Sequence, residues 1–327
     1  MSEIKIGITG DLNLLHEVIQ VVKLQKDMEL VAIFLQEEGE ISVDPFPSAK
    51  KDKLDKISKY RDQIDVLIIC SGMTTDTYKQ TLEYSQYFDV VESYLPMIKL
   101  PIHLERVDRV ACEHEHVAIL SLDWAPGFFA INRLLAEAVL PQGKTYQFTG
   151  RSVSQGHSET LRRIKGVADA VQYTIPDEAA LERVRKGELP ESTISYLQSR
   201  ESFVVLEEGA DPEQVKEAIQ QLPDYFASNE MEVYFISQEE MDHNHKGSPQ
   251  AGSLIRTGKS EDSQGHLFEV QLNLESKPTF TAYVLVAYAR AAYRLSAKGE
   301  KGAKTILDIP IAEIAPYDRD WLIENFL

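Results

Sequence analysis

Gly10 closes the apolar run Ile4–Thr9 and is followed by Asp11, Leu12, Asn13, Leu14 and Leu15. A glycine between a short strand and an amphipathic helix is how a dinucleotide-binding unit begins. The backbone turns tightly there, and the helix N-terminus offers N–H groups to a pyrophosphate. The full fingerprint needs two further glycines. One lets the backbone approach the phosphate, and the other lets the helix pack closely on the strand. Leu12 and Leu15 stand at those two places. Taken alone, the segment fits a plain strand–helix unit better than a cofactor seat. Cofactor choice in such units is set after the second strand, where the chain reads Leu35, Gln36, Glu37, Glu38. Carboxylates there suit a ribose hydroxyl and repel a 2′-phosphate. A solvated acidic loop explains them at least as well.

Other residues have chemistry to offer. Asp123 and Trp124 in "SLDWAPGFF" follow a strand, where open parallel sheets bind ligands. A Pro-Gly turn with Trp124 as a core anchor reads the same residues equally well. Ser154, Gln155 and Gly156 open a helix and present backbone N–H groups to an anion such as a carboxylate. Neighbouring Ser and His residues there lack an acid and an oxyanion loop, so a nucleophile is a weak reading. Arg200, before the apolar run "SFVVL", can clamp a carboxylate with two parallel hydrogen bonds. The pairs His114/His116 and His243/His245 have no second cluster at zinc-site spacing and read as surface histidines.

The elements that must position these groups fall into two styles. "IKIGIT", "ELVAIF", "DVLIIC", "DVVESY" and "VAILSL" are short apolar runs separated by helical spacing at Leu15, Val18, Ile19 and Val22, at 75–87 and at 98–114. Repeated strand–helix–strand units imply a doubly wound parallel sheet. "SVDPFPSAKKDK" reads as a loop. Beyond Leu122 the runs alternate, as in "TYQFTGRSV", "AVQYTIP", "EMEVYFIS" and "HLFEVQLNLE", which predicts an antiparallel-rich α+β region. A late helix begins near Pro278 and stops at Gly299. With 327 residues the chain accommodates two domains, and 43% apolar residues supply their cores. A net charge of −18 disfavours nucleic acid and anionic membranes as partners. Two cysteines, no signal-peptide pattern and no long apolar run lead us to expect a cytoplasmic protein.

Six segments carry a family resemblance across essentially the whole chain: "PGFFAINRLLAEAVLP", "SQGHSETLRRIKGVADAVQYTIP", "SFVVLEEGADPEQV", "LPDYF", "FTAYVLVAYARAAYRLS" and "GAKTILDIP". They resemble meso-diaminopimelate D-dehydrogenases. That resemblance implies NADP-dependent homodimers that reversibly deaminate the D-centre of meso-2,6-diaminopimelate to L-2-amino-6-oxopimelate, in a route to lysine. It implies a Rossmann-type domain at 1–122, an α+β dimerisation and substrate domain at 123–300, and a segment at 301–327 that returns to the first domain. Matched to family motifs, Thr174, Arg200 and His245 fall on substrate-clamping positions, with Ser154, Gln155, Gly156 and Trp124 beside them. Asn132 and Arg133 keep their motif. Cys70, Gly72, Thr75 and Asp76 resemble the family's cofactor loop, with Met73 in place of a serine.

The departures from the family pattern cluster at working positions. The family turn "GYGNLG" is "GDLNLL" here, so Gly10, Leu12, Asn13 and Leu14 mark an altered cofactor turn. Gln36 and Glu37 replace an arginine pair that reads the 2′-phosphate. Ala125 replaces the aspartate of "WDPG", and Leu95 replaces one of two acidic residues, leaving Glu92. Thr149 and Lys277 replace a tryptophan and an asparagine, and "SPQAG" stands for "MPHGG". Asp123 is a candidate substitute carboxylate, because i and i+2 share a side in an extended segment. Three outcomes follow: a dehydrogenase of weakened or altered cofactor use, a non-catalytic homodimer that binds an amino acid or a protein partner, or an enzyme of changed chemistry.

Overall fold

Strand Ile4–Gly10 (β1) is buried on both faces because it lies at the centre of a parallel sheet. The computed structural model describes residues 3–35, 48–70, 72, 76–93, 100–188, 198–222, 231–247, 249–259 and 265–327. Met28–Leu35 (β2), Lys50–Lys53 (β3), Val66–Cys70 (β4), Asp89–Glu92 (β5), Val117–Leu120 (β6) and Gly302–Thr305 (β14) complete the sheet. Its seven strands run in the order β14-β6-β5-β4-β1-β2-β3. The order reverses between β1 and β4, which is the point where such sheets bind ligands. Helices Leu12–Lys23 (α1), Thr77–Tyr84 (α2) and Leu100–Glu113 (α3) connect the strands. The run Lys50–Lys53, expected as loop, is an edge strand paired with β2. Its lysines are typical of an edge that must not recruit another strand.

The chain divides into two units, 1–131 with 278–327, and 132–277. The late helix Lys277–Ala297 belongs with the first unit, whereas the expected boundary at 300 assigned it to the second. Packing is the reason. Its Ala282, Leu285, Ala289 and Ala292 share one core with Ile4, Ile6, Leu15 and Val18. Gly299, at φ +82°, ends it, and the chain then adds β14 beside β6. The second unit holds two sheets. Ser152–Val153 (β8), Val167–Pro176 (β9), Gln198–Leu206 (β10) and Met231–Phe235 (β11) form one, in the order β11-β10-β9-β8. Gly143–Thr149 (β7), Gln250–Lys259 (β12) and Gly265–Leu274 (β13) form the other, in the order β13-β12-β7. Only the β10–β11 pairing is parallel among those described in this unit. Among the described residues no helix is long and apolar enough to cross a membrane.

Arg290 is the largest fully buried side chain among the described residues. Its Nε donates to Asp27 Oδ2 at 2.6 Å, and Nη2 donates to Asp27 Oδ1 at 2.8 Å and to Gln25 Oε1 at 2.8 Å. These bonds tie the late helix to the turn before β2. Burial pushes the Asp27 carboxyl up, but the hydrogen bonds and charge of Arg290 outweigh it and hold it below the ordinary 3.8. The pair therefore contributes fully above that ordinary value and is lost as pH falls through the lower folded value. Arg290→Met should cost about 3 kcal/mol, the low end for breaking a buried pair, because Asp27 keeps some solvent contact. Urea unfolding at a series of pH values should show the acid-side loss in the parent protein and its absence in Arg290→Met.

Candidate functional site

The turn after β1 is set by contact between two strand ends. Gly10 has φ +119°, and a Cβ there would lie 2.0 Å from the Cys70 carbonyl oxygen. The Asp11 N–H donates to that same carbonyl at 2.8 Å. Only glycine allows this approach. Asp11 then caps α1, its Oδ1 accepting from the N–H groups of Asn13 at 3.1 Å and Leu14 at 3.2 Å. Gly72 lies against it, since a Cβ on Gly72 would be 2.5 Å from the Asp11 Cβ. Leu12 is 51% exposed, while Leu14 and Leu15 turn into the core and Leu15 is fully buried. Burial, with a smaller contribution from the Asp11 charge, pushes the Cys70 thiol well up, so it packs as a small neutral group. Gln36, Glu37, Thr75, Met73 and Leu95 lie outside the described residues.

Two candidate carboxylates are engaged inside the protein. Glu92 is fully buried at the end of β5. It accepts from Thr81 Oγ1 at 2.5 Å, and its Oε1 is 3.4 Å from His103 Nε2. Tyr78 lies over the His103 ring at 4.7 Å. Glu92 thus ties α2 and α3 to the sheet. The reading from sequence overlooked His103, although its i, i+4, i+8 stripe with Val107 and Ala111 marks the buried face of α3. The reading of Asp123 as a substitute carboxylate needs correction. Trp124–Phe128 forms a π-helical turn, so the extended-segment spacing does not apply. Asp123 is 3% exposed, and its Oδ1 accepts from the Trp124 N–H at 2.8 Å and from the Thr281 hydroxyl at 2.7 Å. Trp124 is partly buried, edge-on to Phe129 at 5.6 Å.

In the second unit, the β9–β10 register sets Thr174 directly opposite Arg200, and β8 adds Ser152 across from Thr174. Directly opposed residues share a face. A hydroxyl and a largely buried guanidinium side by side form a pair suited to a carboxylate. The start of helix Gln155–Arg162 is bolted to Gln172 of β9. The Ser154 N–H donates to the Gln172 carbonyl, the Gln172 N–H donates to Ser158 Oγ at 2.9 Å, and His157 Nδ1 is 2.7 Å from Gln172 Oε1. Burial chiefly, and the Arg200 charge, lower the His157 pKa, while its bond to Gln172 opposes them. Ser158 and His157 are engaged in this network, which leaves no nucleophilic dyad. Gly156 is exposed, with open space at its Cα. The Gln155 side chain lies outside the described residues.

His245 is placed differently. Its Nδ1 is 2.9 Å from the Tyr173 hydroxyl and its ring is 4.3 Å from that of Phe203. Strand alternation puts Tyr173 and Phe203 on the face opposite Thr174 and Arg200. Burial first, then the Arg151 charge, lower the His245 pKa. Arg151, which the sequence reading did not single out, sits 4.4 Å over the Tyr173 ring and 2.6 Å from Glu201.

Residues 123–276 match the model for the diaminopimelic acid dehydrogenase C-terminal domain. The meso-diaminopimelate D-dehydrogenase of Ureibacillus thermosphaericus is 47% identical over 327 residues, covering 100% of both chains. A substituted meso-diaminopimelate dehydrogenase from Clostridium tetani, solved with DAP, matches with a TM-score of 0.86 at 39% identity, covering 99% of this chain and 100% of that one. An engineered D-amino acid dehydrogenase bound to NADP+ matches with a TM-score of 0.79 at 35% identity, covering 100% of both. Full-length identity of this order, on a sheet that turns at Gly10 and a second unit that opposes Thr174 to Arg200, makes this chain a member of the meso-diaminopimelate D-dehydrogenase family.

Proposed function

We propose that this chain is a homodimeric binder of a diaminopimelate-like amino acid in which efficient NADP-dependent dehydrogenation has been lost. The observation that carries the reading is Leu15, fully buried in the core where the family turn has its third glycine. The third glycine of such a turn is what lets the helix pack closely on its strand, a role that leucine cannot serve. NADP, when bound, supplies the hydride acceptor, but the residues of this turn do not fit it.

The remaining side chains support the same reading. The family aspartate of "WDPG" is Ala125. Glu92 and Asp123 are committed to hydrogen bonds that hold helices in place. Loss of a positioned acid or base costs about 10²–10⁴ in rate. Thr174 and Arg200 keep a seat for a carboxylate. A cytoplasmic location and a homodimer belong to the same proposal. The competing reading is a dehydrogenase of altered cofactor choice, favoured by 47% identity over the full length to a curated enzyme. Turnover with NAD(H) in place of NADP(H) would establish it.

Assayed beside the Ureibacillus relative, the chain should oxidise meso-diaminopimelate with NADP+ at least about 10²-fold more slowly. Comparable rates would overturn the proposal. Saturating meso-diaminopimelate should raise the melting temperature, as a ligand of the folded state must. Arg200→Met and Thr174→Val should each abolish that rise, measured from the variant's own unliganded midpoint. A rise that survives both substitutions would place the ligand elsewhere.

A further inference from the structure

We infer that Asp11, rather than Leu12, is the group that excludes a phosphate from the start of α1: the protein supplies its own anion there. This rests on the proposed loss of NADP binding and adds a cause beside the buried Leu15. The first N–H groups of a helix have no partner within it, and in a dinucleotide site they face the pyrophosphate. Here the Asp11 carboxylate accepts from two of them, on Asn13 and Leu14. Its backbone is fixed by the bond from its N–H to the Cys70 carbonyl at 2.8 Å. Gly72 closes against its side chain, with room for no Cβ, since one would fall 2.6 Å from Asp11 Oδ2. An incoming phosphate meets occupied donors and a like charge on the same atoms. Leu12 offers less resistance, because it is 51% exposed and takes no donor.

The macrodipole of α1 still favours negative charge at this end. Neutral capping residues hold those donors less strongly and carry no like charge, so they should let a phosphate compete for them while keeping the helix. Serine and asparagine both cap helices well, so Asp11→Ser and Asp11→Asn should fold, which far-UV circular dichroism checks. The full chain and its variants are titrated calorimetrically with inorganic pyrophosphate and with ADP. Both Asp11 variants should bind at least about tenfold tighter than the parent, with Leu12→Gly within about twofold of it. Folded Asp11 variants that bind no tighter than the parent would overturn the inference. So would Leu12→Gly giving the same gain alone. Ordinary NADP-dependent turnover by the parent chain would instead defeat the proposed function, while the comparison of variants would still decide the role of Asp11.

Discussion

The geometry at the carboxyl end of the parallel sheet depends on how closely the Gly10 backbone approaches Cys70. At φ +119° Gly10 brings β1 against the end of β4, and no side chain fits between them. That approach lets the Asp11 N–H bond the Cys70 carbonyl, which fixes where α1 begins. From there the helix has a single rotational setting. Leu14, Leu15, Val18 and Ile19 enter the core, and Leu12 faces out. The same contact that builds a Rossmann-type turn also delivers the Asp11 carboxylate to the helix N–H groups. The first glycine, the strand crossing and the core are in place, and the turn departs from the family pattern at Leu12 and Leu15.

Much of this was legible in the sequence, because the signals were local. Unbroken apolar runs mark strands covered on both faces, and "VLIIC" is buried throughout as β4. Pro278 and Gly299 bracket the late helix closely. What escaped depended on non-local packing. Lys50–Lys53 is a strand because β2 offers it an edge, not because its residues favour one. The π-helical turn at Trp124–Phe128 has no periodic signature, and it removed the spacing argument for Asp123. The contact of His245 with Tyr173, and the pairing of Thr174 with Arg200, follow from a register that only the fold reveals. The sequence reading passed over Asp11 as a helix cap, and its competition with a phosphate needed the hydrogen-bond geometry.

The resemblance to the dehydrogenases and the proposed loss of turnover rest on different residues. The "SQGHS" run is held by structural demands: Ser154, His157 and Ser158 all bind Gln172, which joins a helix to β9. A motif used in this way persists whether or not a reaction occurs nearby. Thr174 and Arg200 likewise sit where the sheet register places them. The departures from the family pattern fall on other residues, such as Ala125 and the pair Gln36–Glu37. Family membership is therefore a statement about the scaffold, and function has to be argued from the site.

The central claim is that the turn after β1 does not accept NADP. Calorimetric titration of the unmodified full chain with NADPH tests it most directly. The account predicts no saturable binding up to roughly millimolar nucleotide, and a dissociation constant in the micromolar range would contradict it.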